Sequence, residues 1–322
     1  MKYLNQRGMV RAVLIAILLT SVSGIVVRAQ ETDDPVKIEV YTRFVNNRKA
    51  NEGAAYQAAK EYLQRYPKDN DQYTQYLQKW IAVYERDERK RTLPQLVYNA
   101  KNFAGAYTLG KQILTEEPEY LPALIHLGYA GLLATTLAKN ETFNADAQTY
   151  ANKAIQAIEA GKSPASWAPF KGKEDTLAQL YYTVGFLNLK TAPDRAVQPL
   201  IRAVQFDTDL KKSPAIYYYL AAAYESGPYK TMAAAYQTTY AGKDESAQSK
   251  LALEQLNVII DRMIDAYARA VAAAGTDAAN AQIKAQSSGK LEQFYKFRHE
   301  GSDAGMNELI AGVLTQPLPA KP

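Results

Sequence analysis

The 322-residue chain has no cysteine. That excludes disulfides, thiolate metal centres, cysteine nucleophiles and a lipid-modified cysteine behind a leader. Histidine is almost as scarce, with only His126 and His299. They lie too far apart for one helix to present both, as a two-histidine zinc site needs. Tryptophan occurs twice, too few for a cluster of indole platforms. Zinc-protease, phosphate-loop, dinucleotide and serine-hydrolase motifs are missing. Gly161-Lys162-Ser163 ends like a phosphate loop, but Gln156 stands where its first glycine belongs and no strand leads in, so it reads as a helix terminator. No stretch alternates with period two for long, which argues against a sheet.

A basic surplus is also missing once the N-terminus is set aside. Lys2, Arg7, Arg11 and Arg28 carry four of the five surplus charges, so a chain without residues 1–29 is close to neutral, at about +1. That gives no electrostatic reason to expect nucleic acid. Basic residues followed by an apolar stretch from Ala12 to Val27 and by Val27-Arg28-Ala29 read as a secretory signal cleaved before Gln30. The competing reading is a retained anchor, since the stretch approaches the length needed to span a bilayer. Cleavage would leave no membrane span and a periplasmic or extracellular protein.

What the chain has in abundance is helical periodicity. From Asp34 to about Ala285, apolar residues recur three and four apart, in segments rich in Ala, Leu, Tyr, Gln and Lys. Stop signals fall at Pro67-Lys68-Asp69, Glu117-Pro118, Gly161 to Pro164, Ala192-Pro193, Ser213-Pro214 and Gly227-Pro228. They imply helices of about 12 to 20 residues joined by short turns.

Two half-patterns recur. One groups bulky and small residues over Leu124–Gly131, Tyr181–Asn188 and Tyr217–Tyr224, with a weaker copy at Tyr73–Trp80. The other spaces small or apolar residues four and then three apart: Ala55, Ala59 and Tyr62; Ala106, Gly110 and Ile113; Ala147, Ala151 and Ala154; Ala196, Leu200 and Ala203. Pro67 and Pro118 close the first two. Small residues at Gly128, Gly185, Ala221, Ala106 and Ala196 allow close helix approach. A hairpin with one apolar face cannot bury it alone, so each unit needs the next.

On these residues the chain resembles the tetratricopeptide-repeat family, whose helix-turn-helix unit carries W-x2-L-G-x2-Y, A-x3-F and a closing proline. The resemblance covers most of residues 37–226 and is best from Phe103 to Gly131. It implies an all-α solenoid of stacked hairpins over residues 30–226, with a C-terminal helical cap over 227–315 and a flexible Pro-rich tail over 316–322. The spacing departs from the family's unit, so insertions are expected near Arg86–Asn99, Ala138–Asn144 and Ser163–Thr176. Gly227–Lys250 reads as an interruption. After it, Leu253, Leu256, Ile260, Met263, Tyr267 and Ala270 mark one long amphipathic helix. Thr276-Asp277 starts an alanine-rich helix that Gly289 ends, and a short helix around Met306–Leu314 follows.

Candidate chemistry is sparse. Glu116-Glu117, Glu174-Asp175 and Asp244-Glu245 sit at turns or helix starts, as caps or solvated charges. His126 reads as a satisfied residue beside a packing face, and Phe294–His299 as aromatics packed on the body or as a basic contact stretch. Asn140-Glu141-Thr142 fits a glycosylation sequon by composition alone.

Tyrosine is the unusual count, at 24. Most are expected to bury their rings between helices, Tyr181, Tyr217 and Tyr224 among them. The resemblance also implies that the first helix of each pair lines a groove, which selects Ile125, Tyr129, Tyr182, Phe186, Tyr218 and Ala222 as partner-binding candidates. The expected function is a non-enzymatic interaction or scaffold module of the cell envelope that holds a protein or peptide segment, with no cofactor and no metal. The alternative is an exported small-ligand or carbohydrate-binding protein with an aromatic platform.

Overall fold

The computed structural model describes residues 34–319, so the expected leader lies outside the described residues. Those residues form helices and turns without a strand. They divide into two compact units that meet at Tyr84 and Glu85.

In the first unit, α1 spans Pro35–Asn47 and α2 spans Glu52–Arg65. Asp34 caps α1 by accepting from the Val36 amide at 2.9 Å, with Pro35 preset in the first turn. Asn51 caps α2 through the Ala54 amide at 3.0 Å. The predicted trio Ala55, Ala59 and Tyr62 is buried with Val40, Phe44 and Leu77. Lys37 ties the segment after α2 to α1 by ion pairs to Asp69 at 2.6 Å and Asp71 at 2.8 Å. These pairs stay partly exposed, so they fix geometry more than they add stability. The third helix, α3, spans Gln72–Pro94, and the unit boundary falls within it.

The second unit continues through a π-helical turn, Gln95–Asn99, and then α4 (Phe103–Glu116), α5 (Leu121–Ala138), α6 (Asn144–Glu159), α7 (Lys173–Asn188), α8 (Pro193–Gln205) and α9 (Pro214–Tyr224). A second π turn, Glu225–Tyr229, leads into α10 (Lys230–Tyr240), followed by α11 (Ala247–Ala274), α12 (Ala281–Arg298) and α13 (Met306–Gly312). Neighbours pack in pairs, most extensively α5 with α6, α7 with α8, α9 with α11, and α11 with α12. Helix starts follow local chemistry: Asn102 accepts from the Gly105 amide at 3.0 Å, prolines open α5, α8 and α9, and Ser246 and Ser249 form a reciprocal capping box.

Among the described residues, α5 alone is long and apolar enough to cross a membrane. Here it is a core helix, with 11 of its 18 residues buried under α4, α6 and α7. Its glycines explain how three neighbours fit. A Cβ on Gly128 would lie 2.9 Å from the Ala151 backbone of α6, and one on Gly131 would collide with Ala147 Cβ. In the same way, Gly185 of α7 faces Leu200 of α8, where a Cβ would come within 2.5 Å of Cγ. The remaining small-residue trios, at 106–113, 147–154 and 196–203, are buried throughout.

Several expectations change. The expected insertion at Arg86–Asn99 is continuous helix up to the π turn. The interruption at Gly227–Lys250 is largely helical, because the widened π turn accommodates Pro228 while Gly227 seats against the backbone of Asp194. Gly289 lies inside α12 rather than ending it. The composition change near residue 227 is no structural boundary, since one core joins Leu200, Tyr217 and Leu220 to Met263, Tyr267 and Phe294. The start of the tail is pinned rather than loose: buried Arg269 donates to the carbonyls of Gln316 at 3.1 Å and Pro317 at 2.9 Å.

Two glycine substitutions should move stability in opposite directions. Gly128→Val drives two methyls into the α6 backbone and should destabilise the fold by about 3 kcal/mol. Gly289→Ala meets open space on an exposed helical face and should stabilise it by about 0.8 kcal/mol. Urea unfolding of both variants checks the pair; a neutral Gly128→Val would refute the close approach.

Candidate functional site

The second unit carries a run of half-buried aromatic rings built mainly from the alternate helices α5, α7 and α9. On α5, Tyr129 follows His126 at a three-residue spacing, so both share a face. On α7, Tyr182 and Phe186 are four apart, with ring centroids at 6.0 Å. On α9, Tyr218 and Ala222 repeat that spacing, and Tyr219 turns back to meet Phe186 edge-on at 5.0 Å and 76°. Tyr182 lies 6.4 Å from Tyr219, and Tyr218 lies 6.3 Å from Tyr267 of α11. At the other end Tyr129 meets Phe170 edge-on at 5.2 Å and Tyr98 at 6.4 Å. Such geometries follow the ring quadrupoles.

The tyrosines are held un-ionised. Burial pushes the Tyr98, Tyr129 and Tyr182 hydroxyls upward, and at Tyr182 the neighbouring Tyr219 and Tyr129 add to the effect. His126 is sealed in the same way. It is 9% exposed, its Nδ1 lies 3.0 Å from the Tyr98 hydroxyl, and burial lowers its pKa to about 4. Inside the fold the neutral imidazole is thus paired to a phenol.

One end of the run opens into a cavity of about 480 Å3 lined by Tyr218, Ala222, Glu225, Tyr229, Tyr267 and Lys290. The Glu225 carboxylate accepts from the Tyr267 hydroxyl at 2.5 Å and from the Lys290 ammonium. Lys290 Nζ also sits 6.0 Å from the Phe294 ring. The cavity therefore joins apolar ring faces to one anchored carboxylate and one ammonium, a mixture suited to gripping an amphipathic group.

Of the six residues selected from sequence, Tyr129, Tyr182 and Phe186 are half-buried in the run, and Tyr218 and Ala222 line the cavity. Ile125 is a correction. It is 3% exposed and belongs to the core with Ala151, Ile155 and Leu177, because α5 is enclosed on nearly every side and that position faces α6 and α7. Sequence reasoning missed Tyr98, Phe170, Tyr219, Glu225, Tyr267 and Lys290. Only Tyr219, beside a selected residue, carried a usable signal.

Tyr217 and Tyr224 are buried as expected, whereas Tyr181 is half-buried, its hydroxyl donating to Glu159 at 2.7 Å. Phe294 and Tyr295 pack on the body, and exposed His299 stacks on Tyr295 at 4.1 Å. Glu116 and Glu117 pair with Arg89 and Lys90 at 2.6 Å each. Among the described residues no group of three or more His, Asp or Glu side chains is placed to hold a metal ion. Comparisons with protein families, with characterised proteins and with solved structures find no match to this chain.

His126 yields a pH signature. Its folded pKa of about 4 lies below the unfolded value of about 6.5, so the unfolded chain binds a proton first as pH falls. Stability should therefore decline from about pH 6.5 to about pH 4, by up to about 3 kcal/mol in all. The variant His126→Gln should flatten that limb in urea titrations at pH 4.5 and 7. An unchanged limb would show that the imidazole is not sealed.

Proposed function

We propose that the second unit continues as a solenoid of tetratricopeptide-like hairpins and that its ring-lined face holds a segment of another protein in the cell envelope. The observation that carries this reading is the run of half-buried rings from Tyr98 through Tyr129, Tyr182, Phe186 and Tyr219 to Tyr218, borne largely on the alternate helices α5, α7 and α9 and ending in a cavity with fixed polar groups. Rings already packed against one another lose little freedom on binding. Each of these rings keeps an exposed part, and an apolar segment would cover it. No step of bond chemistry is assigned, and export from the cytoplasm is part of the proposal.

A second reading, a small-ligand or sugar site, rests on the cavity, whose volume suits such a molecule. It would need only Tyr218, Tyr229, Tyr267 and Glu225, whereas a protein segment would need the rings on α5 and α7 too.

The two readings separate on Tyr182 and Phe186. A photo-crosslinker at Tyr182, used in envelope extract, should capture one partner protein. The double variant Tyr182→Ala plus Phe186→Ala should weaken that partner at least about 30-fold, for a loss of roughly 2 kcal/mol or more from two ring anchors. Circular dichroism must show the double variant folded. Unchanged affinity in a folded variant would overturn the groove reading, and an unfolded variant would assign both rings to the core.

A further inference from the structure

A trench beside Arg269 is built independently of the aromatic run. Arg269 of α11 is 3% exposed. Its guanidinium grips Asp265, one turn back, at 2.7 and 3.2 Å. The same Nη2 nitrogen donates to two successive backbone carbonyls, those of Gln316 and Pro317. Leu318 is half-buried against the large core, while Gln316, Pro317 and Pro319 are exposed. Beside this segment lies a cavity of about 800 Å3 whose wall includes Tyr217, Ala272, Ala273, Lys211 and Lys212.

We propose that this trench is a recognition site for extended, proline-containing segments of other proteins, and that residues 316–319 are an internal occupant that such a segment displaces. The chemistry of the partner is written in the occupant. Arginine offers donors only, and proline-rich extended backbone presents carbonyl acceptors without needing donors in return. The contact reads main chain at two consecutive residues and one apolar side chain after them, which defines an x-Pro-Leu-Pro type of segment.

The internal occupant is held by one arginine and one leucine beside a cavity larger than those two contacts fill. A partner offering the same two anchors plus cover for Ala272 and Ala273 makes every contact the tail makes, and more. The buried Arg269 donors keep the vacated trench from becoming inert, because desolvated donors left without acceptors are costly. Competition from the tail acts at the effective concentration of a short tether, in the millimolar range, so a bare peptide must bind the wild type weakly.

The test uses the full-length chain and a fluorescent peptide, Thr-Gln-Pro-Leu-Pro-Ala-Lys-Pro, read by anisotropy. Leu318→Asp in the protein loosens the internal occupant and should raise peptide affinity at least tenfold over wild type. Adding Arg269→Lys to that background keeps the charge, loses the planar fork, and should lower affinity at least tenfold. In case Arg269→Lys unfolds the chain, a peptide with Asp in place of its leucine provides a second control, and it should fail to bind the Leu318→Asp protein.

The proposal is overturned if the Leu318→Asp protein binds no better than wild type, or if the Asp-bearing peptide binds as well as the parent. Concentration-dependent dimerisation of the wild type that Arg269→Lys abolishes would also overturn it, by giving the trench to a second copy of this chain.

Discussion

Close approach of helix backbones at glycine is the constraint on which the second unit rests. At Gly128 the neighbour is the Ala151 backbone, at Gly131 the Ala147 methyl, at Gly185 Leu200, and at Gly227 the Asp194 amide. Each contact joins a helix to the next one or to the start of the one before, and in each a methyl group would meet atoms that cannot easily yield. Interiors are packed too tightly to absorb even one methylene without strain. The glycines therefore set the spacing of the pairs. That spacing in turn decides which side chains are enclosed and which are left at the edge, where the aromatic run forms.

The same constraint explains why α5 looks like a membrane segment in sequence. A helix touched by three neighbours at short range must be apolar on nearly every side. Its tilt toward uniform hydrophobicity is the signature of enclosure, and its small residues distinguish it from a lipid-facing span only through what packs on them. His126 fits the same logic, since a buried imidazole needs a partner, which Tyr98 supplies.

Much of the helical architecture was legible in sequence, and the reason is periodic. The trios at 55–62, 106–113, 147–154 and 196–203 lie three and four apart, and their burial follows from that spacing alone. Loop chemistry was legible where proline opens a helix, as at Pro193 and Pro214. It misled where proline sits in a π turn, as at Pro228, because the same residue that stops an α-helix is tolerated by a wider turn. Gly289 misled for the complementary reason: nothing packs on it, and a lone glycine on an exposed face reads as a terminator. Ile125 was assigned to the groove by its place beside a packing residue, yet on an enclosed helix the adjacent position points into the next contact rather than outward. Tyr267 and Lys290 were beyond reach, since they come to the site from helices far along the chain.

Both ends of the aromatic run coincide with π turns. Gln95–Asn99 presents Tyr98 to His126 and Tyr129, and Glu225–Tyr229 presents Glu225 and Tyr229 to the terminal cavity. One extra residue in a turn rotates everything after it by about 100° about the helix axis. Without the first bulge, Tyr98 would leave the histidine unpartnered. At the second, Glu225 and Tyr229 already share a face with Tyr218 by regular helical spacing, and the widened turn instead accommodates Pro228. A π turn costs backbone hydrogen-bond geometry and is uncommon outside positions that need it. The first π turn is thus tied to the placement of Tyr98 against His126, and the second to the seating of Pro228 and of Gly227 against Asp194.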